Sequence, residues 1–184
     1  MENNSKLKRE FEGDIQLEIR YILPKDNLYE ISNVYEQSWK YAYKDIIPEN
    51  YLNSIPSGTW ADNINKNGAK NIVILEKDII IGTLSFSKSR WEKYHDYGEI
   101  ISIYFLPQYI GKGHGKVLLD MAIKELKSLG FTQILLWVLE ENHRARNFYE
   151  KYGFIFCGEY KNDDIGGKVL KEMMYEYQIK ELIL

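Results

Sequence analysis

The strongest chemical signal in the chain is a run of nine residues, Gln108-Tyr109-Ile110-Gly111-Lys112-Gly113-His114-Gly115-Lys116, set between a strand-like and a helix-like stretch. Amides at a helix start lack intrahelical partners and sit at the positive end of the helix dipole. Glycines there let an anionic oxygen approach the main chain with no Cβ in the way. The chemistry suggested is phosphate binding by main-chain amides of the turn, to which Lys112 and Lys116 could add charge. A P-loop is excluded, because Val117 follows Lys116 where Ser or Thr is needed and Ile110 occupies the earlier glycine place. A dinucleotide fingerprint is only weakly matched, because Lys116 holds its last glycine position and the motif falls late in the chain. A bare G-x-G-x-G turn with no ligand, or one that takes ATP, stays open on these residues alone.

Other chemistries find little to stand on. His95, His114 and His143 are scattered without metal-ligand spacing, so no metal is expected. There is no G-x-S-x-G nucleophile turn. Cys157, the single cysteine, reads as a small apolar residue; it allows no intrachain disulfide and gives no sign of an oxidising compartment.

The elements that must position the turn follow from periodicity. Ile15, Leu17, Ile19 and Tyr21 alternate with polar residues, predicting a strand. Leu28, Ile31, Tyr35 and Trp39 recur at helical spacing, with Asp26 or Asn27 as N-cap, and the helix runs to about Tyr43. Pro48 and Pro56 mark short helices and loops. Residues 72–75 and 79–86 predict a hairpin, and Glu99 to Leu106 a strand stopped by Pro107. Val117, Leu118, Met121, Ala122 and Leu126 form the apolar stripe of a helix closed by Gly130. Residues 134–139 read as a strand covered on both faces, and Asn142 caps a helix stopped by Gly153. Two strands, 154–157 and 169–177, follow, joined through Asn162-Asp163-Asp164 and Gly166-Gly167. The result is a mixed α/β domain over 14–184, preceded by a polar segment, 1–13, that reads as a disordered, solvated end.

In context the glycine turn gains specificity. It is followed within one crossover by Trp137-Val138-Leu139-Glu140-Glu141-Asn142, then Ala145-Arg146-Asn147-Phe148-Tyr149 and Gly153-Phe154. The combination resembles the GNAT acetyltransferase superfamily, strongly over 99–156. Ser38-Trp39, Ala42-Tyr43 and Ile46-Ile47-Pro48 are similar to the helical entry segment of many members. The resemblance implies a mostly antiparallel twisted sheet of about seven strands, with a central parallel pair splayed to hold acyl-CoA and helices on its flanks. It implies the pyrophosphate of acetyl-CoA on Gly111, Lys112, Gly113, His114, Gly115 and Lys116, and pantetheine along the main chain of Ile103, Tyr104 and Phe105, with Asn142 and Tyr149 also at the cofactor. Tyr149 matches the family's general acid: a phenol, with ordinary pKa about 10, keeps its proton at neutral pH within range of a thiolate of about 8.5. Glu99, at a strand start, could relay the proton that an amine of pKa about 10.4 must lose; a water chain could do the same. The reaction implied is transfer of acetyl to a primary amine, on a small molecule or a peptide, by direct attack in a ternary complex. The alternative is a non-catalytic acyl-CoA sensor or partner-binding module on the same fold.

The net charge of -3 on 184 residues gives no basic footprint, so nucleic acid is not an expected partner. No apolar run is long enough for a signal core or a membrane span, which gives a cytoplasmic expectation. Pairing of the C-terminal strands would give a homodimer. Trp39, Tyr43, Trp60, Trp91, Tyr94 and Tyr97 are expected to face an acceptor pocket, as the same segments do in similar proteins.

Overall fold

The structure, a computed structural model, describes residues 6–12, 15–64, 66 and 68–179. Eight strands form one sheet in the order β1-β2-β3-β4-β5-β6-β8-β7. In chain order they are β1 (Lys6–Glu12), β2 (Ile15–Tyr21), β3 (Lys70–Glu76), β4 (Ile79–Lys88), β5 (Gly98–Phe105), β6 (Gln133–Leu139), β7 (Ile155–Ile165) and β8 (Lys168–Gln178). Four helices join them: α1 (Leu28–Ala42), α2 (Glu49–Ser54), α3 (His114–Ser128) and α4 (His143–Tyr152). Every neighbouring pair is antiparallel except β5 and β6.

Burial on both faces explains the near-continuous apolar runs. Successive side chains of a strand point to opposite faces. On β3, Ile72 and Ile74 accordingly join the core beneath α3, whereas Val73 and Leu75 join the core beneath α1. A third cluster, Ile47, Leu52, Leu139 and Leu170, ties the region around α2 to the last hairpin. Gly82 on β4 reflects a close approach: a Cβ there would stand 2.4 Å from the Phe105 ring. Among the described residues no helix is long and apolar enough to cross a membrane.

The caps fall where side-chain chemistry puts them. Asn27 caps α1, accepting from the Tyr29 N–H at 3.0 Å. Asp26 instead holds the Arg20 guanidinium at 2.6 and 2.9 Å and accepts the Leu23 N–H.

Two sequence expectations are corrected. Lys6–Glu12 forms β1, an edge strand paired to β2, where a disordered end was predicted. Edge strands tolerate a polar, Lys-rich composition, and the ladder to β2 supplies the main-chain bonds. Residues 1–5 and 13 lie outside the described set. Asn162, Asp163 and Asp164 belong to β7 rather than to the turn. Their register with Lys171, Leu170 and Val169 on β8 outweighs their turn propensity, and the reversal is left to Gly166-Gly167.

Candidate active site

The parallel pair is the origin of the site. β5 and β6 are bonded only at Gly98–Ile134 and Glu99–Leu135; beyond that no ladder joins them. Residues 101–105 keep β4 as their partner on one side, and the β6-facing main-chain edge is left without a strand. Ile101 is an extra residue in β5, between the Ser85–Ser102 and Phe86–Ile100 pairs, a bulge of the kind that bends a strand and raises its twist. The space so opened is a cleft of about 570 Å³, walled by 101–105 on one side and by Trp137, Val138 and Leu139 on the other.

At one end the cleft meets the glycine turn. Gly111, Gly113, Gly115 and Lys116 line it. Gly113 is the N-cap of α3, with φ of 88°, and offers no side-chain cap to the first-turn amides. Gly111 has φ of 83°. Both are left-handed conformations that cost an L side chain about 1–2 kcal/mol, and nothing lies within 4 Å of a Cβ built on either. These uncapped donors and open approaches fit a diphosphate. The lysines are less committed. Lys112 lies 4.8 Å above the Tyr109 ring and does not line the cleft. Lys116 does, but is paired to Asp120 at 2.8 Å. The His114 ring is buried between Phe105 and Tyr109, so a ligand would meet only its main chain.

Ile103, Tyr104 and Phe105 line the middle of the cleft together with Asn142 and Tyr149. Asn142 caps α4, its Oδ1 accepting the Ala145 N–H at 3.1 Å. Tyr149 is buried against Phe148 and Phe154. Burial pushes its phenol well above the ordinary value, and the neighbouring Tyr104 adds to the rise. Tyr104 is likewise raised by burial and accepts a hydrogen bond from Trp39 Nε1 at 3.0 Å. Burial also carries Tyr43 up to about 12. These phenols stay protonated at neutral pH.

Glu99 does not take the place expected of it. It lies at the closed vertex of the split, 1% exposed, and is absent from the cleft wall. Its Oε1 accepts from Arg90 Nη2 at 2.7 Å, and its Oε2 from Arg90 Nε and the Arg90 backbone N–H at 3.1 and 3.0 Å. A carboxylate so engaged ties β5 to the loop that follows β4. The carboxylate suggested as a general base by its sequence position thus has both oxygens already engaged by Arg90.

The far end of the cleft is made of side chains from distant parts of the chain. Ser38, Trp39 and Tyr43 come from the end of α1, Trp137 from β6, and Asp163 and Glu172 from the β7–β8 hairpin. Lys168 latches that hairpin to the chain after α1 by donating to the Ile46 carbonyl at 2.8 Å. A second cavity of about 320 Å³ shares Trp39, Ile101, Ser102 and Tyr104 with the cleft and is walled further by Tyr35, Trp60 and Arg90. Trp60 is fixed there by α1: Glu36 accepts from the Gly58 N–H and from Ser32 Oγ, and Ser32 Oγ accepts from the Trp60 N–H. Of the six aromatics expected at an acceptor pocket, Trp39, Tyr43 and Trp60 line one cavity or the other. Trp91 lies tilted against Trp137 behind the wall, and Tyr94 and Tyr97 pair with each other elsewhere. Asp163, Glu172 and Trp137 were not singled out from sequence as cleft residues. The available signal was alternation on β6 and β8, which puts Trp137, Leu139, Glu172 and Met174 on one face.

Comparison with known proteins agrees with this architecture. The model of the acetyltransferase (GNAT) family matches residues 28–154. The uncharacterized N-acetyltransferase YuaI of Bacillus subtilis is 31% identical over 150 residues, covering 80% of this chain and 86% of the relative. A spermidine N(1)-acetyltransferase of Thermoplasma acidophilum is 26% identical over 171 residues, covering 88% and 99%. Among solved structures, the PaiA N-acetyltransferase of Thermoplasma acidophilum in complex with coenzyme A superimposes with a TM-score of 0.67 at 24% identity, over 88% of this chain and 98% of that one. The split parallel pair, the glycine turn opening α3 and the family match over most of the chain converge: this protein belongs to the GNAT acetyltransferase family.

Proposed function

We propose that the protein moves an acetyl group from acetyl-CoA to a primary amine by direct attack in a ternary complex. The observation that carries this reading is the unpaired β6-facing edge of 101–105, running to an uncapped helix start across one continuous cleft. A relative crystallised with coenzyme A and a relative named for a polyamine acceptor support the choice of donor and acceptor class.

The thioester supplies an activated acyl carbon with a thiolate leaving group. The amides from Gly111 through Lys116 hold the diphosphate, and the main chain of Ile103, Tyr104 and Phe105, with Asn142, holds the pantetheine arm. Main-chain donors of β5 stabilise charge developing on the carbonyl oxygen. Most of the rate enhancement comes from positioning two reactants in a partly dehydrated cleft. Tyr149 keeps its proton until sulfur becomes anionic, then donates it. The burial that raises the phenol also raises the proton affinity of a thiolate beside it, which keeps the transfer feasible. With Glu99 engaged by Arg90, the amine proton leaves through water in the open cleft.

The test is release of free CoA thiol from acetyl-CoA against a panel of amines, with mass spectrometry of the product. Acetylated amine formed in step with thiol supports the reading. Binding of acetyl-CoA without turnover on any amine would replace the enzyme with an acyl-CoA sensor.

A further inference from the structure

Behind the far wall of the cleft lies an assembly that the proposed reaction does not use. Trp91 and Trp137 stand with ring centroids 5.2 Å apart and planes inclined by 48°, forming a wedge. The Lys161 ammonium sits in its mouth, 5.5 Å from the Trp91 ring and 5.4 Å from the Trp137 ring. It is also 2.6 Å from Glu172 Oε1. Two indole faces and a carboxylate around one ammonium make a complete cation site. Among the described residues the other lysines and arginines over aromatic rings each meet a single ring; Lys171 over Tyr160 is an example.

Four observations bear on how this site relates to the acceptor. Trp137 and Glu172 are themselves cleft-wall residues. The strand register puts Leu139, Glu172 and Lys161 side by side on β6, β8 and β7, on one face of the sheet. Both indole Nε1 groups are buried without a hydrogen-bond partner, so the rings are placed for their faces and not for their N–H groups. Lys161 and Glu172 keep 26% and 15% of their side-chain surface exposed, so the pair is not sealed in.

We infer that Lys161 is a specificity-determining residue: its ammonium occupies, from within, a cation site at the acceptor end of the cleft and so bars a second cationic group of the acceptor. With Glu172 neutralised in this way, Asp163 is the cleft-wall carboxylate without an ion pair among the described residues. The wall then suits an acceptor that carries one ammonium group. Removing the lysine charge would leave Glu172 and two ring faces for the distal ammonium of a diamine.

The inference rests on the acetyltransferase reading, and its test separates the two. Lys161→Met, or Lys161→Gln should the first variant fold poorly, is compared with wild type using butylamine and 1,4-diaminobutane as acceptors. The expected result is at least a ten-fold rise in the kcat/KM ratio of diamine over monoamine. Adding Glu172→Gln should abolish that gain, and Lys161→Arg should keep wild-type selectivity. Diamine binding without acetyl-CoA, followed by tryptophan fluorescence, should tighten in the same order. That readout stands even if no amine is acetylated, a result that would sink the reaction but not the site. If the Met and Gln variants bind and use the diamine no better than wild type, or if Glu172→Gln leaves the gain intact, the inference is wrong.

Discussion

The two ends of the cleft are built from different materials. The glycine-turn end is main chain: consecutive amides at the start of α3, with glycines whose merit is what they lack. The opposite end, proposed to take the acceptor, is side chain, with indoles, phenols and carboxylates contributed by α1, β6 and the β7–β8 hairpin. A group shared by every acyl-CoA can be held by the backbone and needs little from residue identity. Selecting one acceptor needs shape and charge that only side chains supply.

If that contrast is right, substitutions should divide accordingly. The largest effect is expected at the junction of the two ends, where Tyr149→Phe should lower kcat roughly 10²-fold, the low side of general acid catalysis. CoA affinity by calorimetry should stay within about threefold, since phenylalanine keeps the packing on Phe148 and Phe154. An unchanged kcat would remove the acid role. Next comes Gly113→Ala, which puts a Cβ on a left-handed residue and into the space offered to phosphate. CoA binding should weaken about ten-fold, equivalent to ~1.4 kcal/mol, while the amine KM measured at saturating CoA holds steady. At the opposite end, Trp39→Ala should raise the amine KM several-fold and leave CoA affinity alone, and equal losses for both ligands would blur the division. The smallest effect is assigned to Lys112→Ala. Its ammonium rests on Tyr109 outside the cleft wall, so a change in CoA affinity beyond about threefold would show that the turn relies on side-chain charge after all.

Burial of the phenols around the two cavities gives the molecule a pH signature. Tyr35, Tyr43, Tyr104 and Tyr149 are all raised by burial. Below about pH 10 both folded and unfolded chains keep these protons, and stability is indifferent to them. Above it the unfolded chain releases protons that the fold retains, so stability must fall as pH rises. Melting temperatures between pH 9 and 11 should show that fall, with a shallower slope in Tyr149→Phe.

The same difference in material decided what the sequence could reveal. The glycine turn, Asn142 as a cap and the α3 stripe are each local patterns, written in short stretches of consecutive sequence. Periodicity and turn chemistry therefore placed them, whereas a pantetheine role for residues 103–105 was implied only by the family resemblance. Glu172 and Trp137 meet only through the β6–β8 register, and Lys168 reaches Ile46 across 122 positions. No short window contains such contacts. Glu99 shows the reverse failure: its place at a strand start was legible, but the engagement of both its oxygens depends on a loop folding back to bring Arg90 beside it. β1 was missed because an edge strand needs no apolar alternation once a partner strand supplies its hydrogen bonds.

The brevity of the β5–β6 pairing reaches beyond ligand space. Two matched residue pairs stitch a five-stranded leaf to a three-stranded one, and elsewhere along that line the main chain offers no thread. The sheet therefore carries a seam, and the Arg90–Glu99 ion pair lies beside its closed end, on the five-stranded side. A guest lodged between the leaves would finish the stitching, so a loaded molecule should resist hydrogen exchange along 101–105 far better than an empty one.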